Sequence, residues 1–143
     1  MTNSQREAIV NHSAKKLFDI VLDIEKYPDY IPWCTKIVIN ERKNNEIYAD
    51  MYVKYKFILA QKFGSQVRFN KNELTIQTNY IEGPLKDLTT NWKFETINKK
   101  KSKILFDVSF EFKNFIHQKL AETFYPLIEN KMINSFKKRA NSF

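Results

Sequence analysis

The sequence predicts one α+β domain over residues 1–143, in which a curved antiparallel sheet of about six or seven strands wraps around a long C-terminal helix. Three observations lead to this prediction. Apolar and polar residues alternate through several segments between Ile37 and Phe112, as in strands with one covered face. The apolar period becomes helical after Asn114. No repeat or low-complexity linker divides the chain.

The first elements are predicted as a strand at residues 2–10 and a helix that Ser13 caps and that runs to about Leu22. The segment YPDYIPWC follows at 27–34. Each proline lacks an N–H and disfavours helical backbone at the residue before it. We therefore expect a short irregular turn or a broken helix there. The apolar positions of the preceding helix are Ala14, Leu17, Phe18 and Val21.

The strands are predicted from period-two patterns, most clearly in ILFDVSFEF at 104–112. Residues 41–46 and 70–72 resemble hairpin connections, the polar segment 97–103 is predicted as a loop, and Gly83–Pro84 should break the chain between two strands. The inward faces are predicted to carry Ile47, Ala49, Met51, Val53, Tyr55 and Phe57, then Leu74, Ile76, Thr78 and Tyr80, then Leu88, Trp92 and Phe94, and finally Ile104, Phe106, Val108, Phe110 and Phe112.

The C-terminal helix is predicted from apolar residues at steps of three and four. Pro126 should kink this helix or divide it in two. A cationic cluster near the end of the chain suits a helix C-terminus. The predicted stripe comprises Ala121, Tyr125, Ile128, Met132 and Phe136, widened by Leu120, Phe124 and Leu127, and the cationic cluster comprises Lys137, Lys138 and Arg139.

The net charge is +8, and only four of the 24 basic residues are Arg, so 24 − 4 = 20 are Lys. The charge has two readings: a solvated surface rich in Lys and Asn, or attraction to anionic lipid headgroups or RNA. Because precise phosphate and base recognition favours Arg, the excess of Lys indicates long-range attraction. With only two Gly in the chain, glycine-rich phosphate loops are not expected.

The cysteine content and the N-terminal sequence indicate the cellular compartment. The single cysteine, Cys34, cannot form an internal disulfide, and MTNSQREAIVNHS lacks the apolar segment of a signal peptide. We therefore expect a cytoplasmic protein, and the basic charge leaves open a peripheral position on the inner face of the membrane.

The sequence contains no arrangement of residues typical of a catalytic or metal site. His12, His117 and Cys34 lack metal-ligand spacing, and Cys34 has no supporting nucleophile motif. We predict no catalytic residue, no metal and no cofactor, and we expect Cys34 to be a small buried core residue. Ligand binding remains, because a sheet that curves around a helix can enclose an apolar pocket.

Three blocks of the chain resemble the coenzyme Q-binding START-domain family of the polyketide cyclase-like helix-grip superfamily. The blocks are LFDIVLDIEKYPDYIPWC at 17–34, IEGPLKDLTTNWKF at 81–94 and NKMINSFKKRA at 130–140. Their order and spacing span most of the chain. The motif YPxxxPWC is the specific part of the resemblance.

The resemblance implies a START-like helix-grip fold that binds ubiquinone or a similar isoprenoid lipid as ligand. It implies a lipid carrier or chaperone that supports respiratory electron transport, rather than an enzyme, with contact to an anionic membrane surface. Tyr27, Pro28, Pro32, Trp33 and Cys34 are expected to form a structural cap near the pocket mouth. The candidate ligand-binding residues are Tyr27, Trp33, Met51, Val53, Tyr55, Trp92, Phe94, Phe106, Val108, Phe110, Phe124, Ile128 and Met132.

Two alternatives remain open. The bacterial branch of the same family suggests a RatA-like toxin that binds a ribosomal subunit and interferes with subunit association. Fold analogy alone also allows an aromatase or cyclase, which would need polar acid–base groups inside the pocket. Which quinone binds and the oligomeric state are left open by the sequence.

Overall fold

The computed structural model describes residues 2–55 and 58–143. Within these residues seven antiparallel strands form one sheet in the order β1-β7-β6-β5-β4-β3-β2, with three α-helices. The predicted α+β helix-grip class is therefore confirmed. The elements are β1 (Thr2–Val10), α1 (Ala14–Leu22), α2 (Tyr27–Tyr30), β2 (Cys34–Lys43), β3 (Glu46–Tyr55), β4 (Ile58–Asn70), β5 (Thr75–Glu82), β6 (Leu85–Asn98), β7 (Lys101–Phe112) and α3 (Phe115–Asn141).

The N-terminal elements form where the sequence predicts them. The Ser13 side chain accepts a hydrogen bond from the Lys16 N–H at 3.2 Å and caps α1. The YPDYIPWC segment contains the four-residue helix α2, a turn and the first residue of β2. A broken helix is thus confirmed, and a 3₁₀ turn at Ile24–Lys26 joins it to α1.

The C-terminal helix α3 runs from Phe115 to Asn141 as one continuous element of 27 residues. The prediction that Pro126 divides it is wrong. Proline removes one N–H of the helical ladder, but Pro126 is exposed, so water can solvate the carbonyl that loses its partner. The Asn114 side chain caps the start of α3 by accepting hydrogen bonds from the backbone N–H groups of Ile116 and His117.

The connection between β6 and β7 is shorter than predicted. Residues 97–103 are not a loop: β6 and β7 extend through most of this segment, and only residues 99–100 turn. Lys99, Lys100 and Lys101 are exposed to solvent, whereas Ser102 is fully buried and its hydroxyl donates a hydrogen bond to the His12 carbonyl at 2.8 Å. The polar residues of this segment are therefore either solvated or hydrogen-bonded. The Asn98 side chain accepts a hydrogen bond from the Lys100 N–H at 3.0 Å and stabilises the tight turn.

The predicted break at Gly83–Pro84 is confirmed between β5 and β6. Gly83 has φ +142°, which side chains rarely adopt, and a Cβ there would lie 2.7 Å from the Lys62 carbonyl oxygen. The Lys113 N–H donates to the Pro84 carbonyl at 3.1 Å, so this turn lies beside the start of α3.

The helices cover the sheet unevenly. Among the described elements, α3 packs most closely against α1 and β7, and α1 packs against β6 and β7. Phe18 of α1 is fully buried and meets Phe94 of β6 edge to face at 6.1 Å. We call the part formed by β1, β7, α1, the C-terminal end of β6 and the buried α3 residues other than those that line the cavity the filled half of the molecule.

A buried carboxylate lies in the filled half, on the face of α3 toward β1. Glu129 is 6% exposed and accepts hydrogen bonds from the hydroxyl groups of Tyr125 and Ser4. Burial and the adjacent Glu129 carboxylate raise the pKa of Tyr125. The predicted stripe included Ile128 but not Glu129, because a polar residue is not expected at a covered position.

No helix in the described ranges is both long enough and apolar enough to cross a membrane.

Candidate functional site

An apolar cavity of about 160 Å³, partly open to solvent, lies between the sheet and the helices on the side of β2 to β6. The close backbone contacts of α3 are with α1 and β7, so its side chains Met132 and Phe136 reach the space over the inward faces of β3, β4 and β5. Strands, both long helices and the YPDYIPWC segment contribute to its walls. The lining residues are Val21, Ile24, Tyr27, Ile31, Trp33, Cys34, Ile37, Ala49, Met51, Phe63, Ser65, Val67, Ile76, Thr78, Leu88, Thr90, Trp92, Phe106, Met132 and Phe136.

The YPDYIPWC segment forms one wall of the cavity. Tyr27, Ile31, Trp33 and Cys34 all line it. The Tyr27 hydroxyl donates a hydrogen bond to the Val21 carbonyl oxygen, which ties the segment to α1. The prolines explain this arrangement, because they end helical structure after one turn and let the chain return toward the sheet.

Aromatic side chains fasten this wall to α3. The Phe136 ring meets Tyr27 at 5.5 Å and Tyr30 at 5.7 Å, both edge to face. The Arg139 guanidinium lies over the Tyr30 ring at 5.0 Å. The segment is therefore held by contacts with the last turns of α3, at the end of the helix that closes the cavity.

A second aromatic group forms the inner end of the cavity. Trp92 of β6 packs against Phe106 of β7 at 4.3 Å and meets Phe136 at 5.5 Å. Trp92 is opposite Ile76 across the β5–β6 ladder. These flat surfaces could contact a planar ring on its face or edge.

The cavity offers little acid–base chemistry. Among the described residues that line it, only Tyr27 and Cys34 titrate. Burial, and then the neighbouring Tyr30, raise the pKa of Tyr27 well above its usual value. Burial raises the pKa of the Cys34 thiol to about 11. Both groups therefore stay neutral near pH 7, and the described lining presents no charged group to a ligand.

No metal site is formed by the described part of the chain: no three His, Cys, Asp or Glu side chains cluster there. Cys34 is buried, at 3% exposure, as expected for a core cysteine.

Six of the thirteen predicted ligand-binding residues line the cavity. The structure brings together Tyr27, Trp33, Met51, Trp92, Phe106 and Met132.

The other predicted residues are placed elsewhere. Phe94, Val108 and Phe110 are buried in the core, where Phe94 contacts Phe18 and Phe110 contacts Tyr125. Val53, Phe124 and Ile128 are partly exposed and do not belong to the described lining. The Tyr55 side chain and Phe57 lie outside what the structure describes.

Phe124 and Ile128 precede Met132 by eight and four residues, so they share its side of α3. That side continues from the cavity toward the N-terminal half of the helix. A role for these two residues with a longer ligand therefore remains a prediction.

Sequence reasoning missed the contribution of β4 and β5. Phe63, Ser65, Val67, Ile76 and Thr78 line the cavity on these two strands. The alternation of Ile76 and Thr78 was a usable signal, since it placed both on the inward face. The candidate ligand-binding residues were chosen as large apolar side chains, and this choice left out small side chains and those with a hydroxyl group.

The fold and the cavity define a helix-grip protein with an internal apolar pocket. The chain belongs to the polyketide cyclase / dehydrase and lipid transport family, whose model matches residues 10–137. The resemblance that the three sequence blocks indicated is thereby confirmed.

Two curated relatives represent two branches. The chain is 32% identical to the ribosome association toxin RatA of Rickettsia prowazekii, with 98% of this chain and 97% of that protein covered. It is 25% identical to the mitochondrial coenzyme Q-binding protein COQ10 homolog B of Xenopus laevis, with 92% of this chain and 55% of that protein covered.

Solved structures share the fold at low identity. The Zhui aromatase/cyclase from a Streptomyces species superposes with a TM-score of 0.90 at 13% identity, covering 98% of this chain and 93% of that one. A START superfamily protein from Mycobacterium smegmatis superposes with a TM-score of 0.85 at 16% identity, covering 98% and 97%. These similarities establish the fold alone.

Proposed function

We propose that this protein binds a hydrophobic ligand of the ubiquinone type and carries it in support of respiratory electron transport, without acting as an enzyme. The observation that carries the proposal is the apolar cavity walled by the YPDYIPWC segment, the strands and α3. The relative named as a coenzyme Q-binding protein supports this choice of ligand. The neutral lining supports binding over catalysis, because general acid–base chemistry needs a group that titrates near the working pH.

The volume limits what can enter. The cavity of about 160 Å³ is close in size to an engineered apolar cavity of about 150 Å³ in an unrelated protein, which binds benzene. A benzene-sized ring therefore fits, while the ring substituents and an isoprenoid tail must extend through the opening or spread the walls. Each CH₂-sized group that the tail buries stabilises the complex by about 0.8 kcal/mol.

Loading and release would take place at an anionic membrane surface. At the start of α3, Phe115 is 72% exposed and Ile116 is 67% exposed. Lys119 lies over the Phe115 ring at 5.4 Å but also forms an ion pair with Glu122 at 3.7 Å, so the exposed Lys113 next to the cap residue Asn114 is the stronger cation. Two apolar side chains beside cations match the chemistry of an anionic bilayer, where each Lys contributes about 1 kcal/mol.

Ligand retention is the direct test. We expect organic extraction of the purified protein to yield an isoprenoid quinone by mass spectrometry. Both tryptophans of the chain, Trp33 and Trp92, line the cavity, so a short-tailed ubiquinone should quench their fluorescence saturably. Trp33→Phe and Trp92→Phe assign the signal to each wall. An extract without isoprenoid, together with quenching that never saturates, would reject the proposal.

Membrane docking is tested with vesicles. We expect Phe115→Ser with Ile116→Ser to weaken binding to vesicles rich in anionic lipid by about tenfold or more, because two apolar side chains no longer enter the interface. Ile97→Ser is the matched control, since Ile97 is 50% exposed near the opposite end of the sheet. Equal loss in both variants, or equal binding to neutral vesicles, would contradict docking through α3.

A second function is favoured by a separate observation, the 32% identity to a protein named ribosome association toxin RatA. We propose the β6–β7 turn as its contact surface with a ribosomal subunit, because Lys99, Lys100 and Lys101 are exposed there beside Lys103. Lys103 forms an ion pair with Glu7 at 3.2 Å, which leaves the three turn lysines as the stronger candidates.

Co-sedimentation with ribosomal subunits tests this second function. We expect binding that weakens steeply with salt, as phosphate contacts require. Replacing the three turn lysines with Gln should weaken it, whereas Lys113→Gln with Lys119→Gln at the other end should not. Absence of co-sedimentation at low salt would remove this function and leave the ligand proposal untouched.

A further inference from the structure

Three hydroxyl groups form a polar strip on the otherwise apolar floor of the cavity. Ser65 of β4, Thr78 of β5 and Thr90 of β6 all line it. Thr78 is directly opposite Thr90 in the β5–β6 ladder, and Val67, two residues after Ser65, is opposite Thr78. Directly opposed side chains have Cβ atoms about 4.5–5.5 Å apart, and diagonal neighbours about 7–8 Å. The three hydroxyls therefore lie in one continuous strip, which we call the hydroxyl strip.

The hydroxyl groups of the strip are free to form hydrogen bonds with a ligand. Within the described part of the chain, none of these three side chains forms a hydrogen bond. All three residues are half-buried, so their hydroxyl groups are accessible from the cavity and available to a ligand. By contrast, the hydroxyl of Tyr27, which also lines the cavity, already donates to the Val21 carbonyl.

The surroundings of the hydroxyl strip define how a ring would lie. Ile76 and Trp92 are two residues along β5 and β6 from Thr78 and Thr90, so they are the next inward residues on these strands. Trp92, Phe106 and Phe136 close that end with aromatic surface. Met51 and Phe63, which are paired across β3 and β4, lie toward the other end.

We propose that the Ser65–Thr78–Thr90 strip recognises the oxygen substituents of a neutral ring, holding the head of the ligand against Trp92 while the tail leaves over Met51 and Phe63. This inference rests on the proposed ligand-binding function and names the ligand class more closely. A carboxylate or phosphate head is disfavoured, because the described lining contains no cation to pair with it.

The same chemistry predicts tolerance of redox state. A Ser or Thr hydroxyl can donate one hydrogen bond and accept others. It can therefore donate to a quinone carbonyl or accept from a quinol hydroxyl. We expect the protein to bind the oxidised and reduced forms of one ligand with similar affinity, as a carrier requires.

The test compares two probes built on a six-membered ring, a short-tailed ubiquinone and the smaller, wholly apolar n-butylbenzene, on the full chain. Thr78→Val and Thr90→Val keep the side-chain shape and remove the hydroxyl. Each should weaken ubiquinone binding roughly 2- to 12-fold, the range for one neutral hydrogen bond, and leave n-butylbenzene binding unchanged or tighter. Titration calorimetry of each probe measures the affinity ratio.

Thr89→Val is the matched control. Thr89 is adjacent to Thr90, but its cross-strand partners Asn79 and Ser109 belong to the outer face. It should change neither affinity. If the double variant Thr78→Val, Thr90→Val binds both probes with the wild-type ratio, the hydroxyl strip has no such role. If the wild-type chain binds neither probe, the ligand-binding function itself is rejected, which separates the two failures.

Discussion

The two halves of the sheet carry similar patterns and have different interiors. In the filled half, alternate residues of β7 from Ile104 to Phe110 are buried beneath α1 and α3. On β3 and β4, Met51 and Phe63 also occupy inward positions of an alternating pattern, but they remain partly exposed beside the cavity. The difference teaches that the cavity is made by the placement of α3 along one side of the sheet. Aromatic content by itself does not distinguish packing from binding.

The largest contrast should come from truncating one phenylalanine in each half. We expect Phe18→Ala to lower the free energy of unfolding by about 3–5 kcal/mol, because Phe18 is fully buried against Phe94. Phe63→Ala should cost less, about 1–2 kcal/mol, since part of its surface is already exposed. Urea unfolding measures both. Equal losses would show that the two halves are packed alike.

A smaller and more specific contrast comes from enlarging one alanine in each half. Ala140 of α3 is fully buried, so Ala140→Leu should destabilise the fold by about 1–3 kcal/mol. Ala49 lines the cavity, so Ala49→Leu should leave the free energy of unfolding within about 1 kcal/mol of wild type. The larger side chain would occupy the part of the cavity that is proposed to hold the quinone ring, so ubiquinone affinity should fall by about tenfold or more.

Thermal unfolding and the fluorescence titration measure the two effects of that pair. Ala49→Leu with normal stability and undiminished quinone affinity would place the ligand somewhere other than this cavity. A large destabilisation by Ala49→Leu would mean that the cavity walls cannot accommodate added volume.

The smallest effect concerns the thiol on the cavity wall. Burial raises the pKa of Cys34 from 9.0 to about 11, so the thiolate fraction near pH 8 is smaller in the folded protein than in the unfolded chain. We expect slow reaction of Cys34 with a disulfide reagent at pH 8, slowed further by bound quinone. Comparison with the urea-unfolded chain is the control. Equal rates would contradict a buried thiol.

The same shift sets the direction of a pH effect on stability. Because the pKa of Cys34 is raised, the contribution of its thiol to the free energy of unfolding is fully present below about pH 9. This contribution is lost as pH rises toward about 11, where the folded thiol also ionises. Cys34→Ala should therefore remove a small part of the alkaline decline in the free energy of unfolding. A decline of the same size in the variant would assign it to other groups.

Local patterns predicted the elements well where one local rule governs the backbone. Ser13 caps α1, Gly83 turns the chain before β6, and the prolines of YPDYIPWC stop helical structure after one turn. Two local rules misled. Pro126 does not divide α3, because exposure lets water replace the missing partner. Residues 97–103 do not form a long loop, because β6 and β7 stay paired as far as Asn98 and Lys101 and the lysines are exposed at the turn.

The candidate site was predictable only in part. Large apolar residues such as Trp92 and Met132 were selected by size and direction, and they do line the cavity. Phe94 and Phe110 follow the same pattern, but they pack in the core against Phe18 and Tyr125 and do not line the cavity. Thr78 and Thr90 line the cavity although their side chains are small and polar. Alternation specifies which face a residue occupies, and it does not specify what lies opposite that face.

By itself, the sequence determined that one antiparallel sheet would cover a C-terminal helix, that the chain would break at YPDYIPWC, and that it resembles a family of lipid-binding relatives. Those features follow from period, caps and prolines, which act over a few residues. Only the tertiary structure decided that α3 packs beside β7 and α1, that Glu129 is buried against β1, and that a 160 Å³ space remains over β4 and β5. The position of a helix across a sheet depends on the packing of many side chains that are distant in sequence. A local sequence pattern therefore does not specify that position.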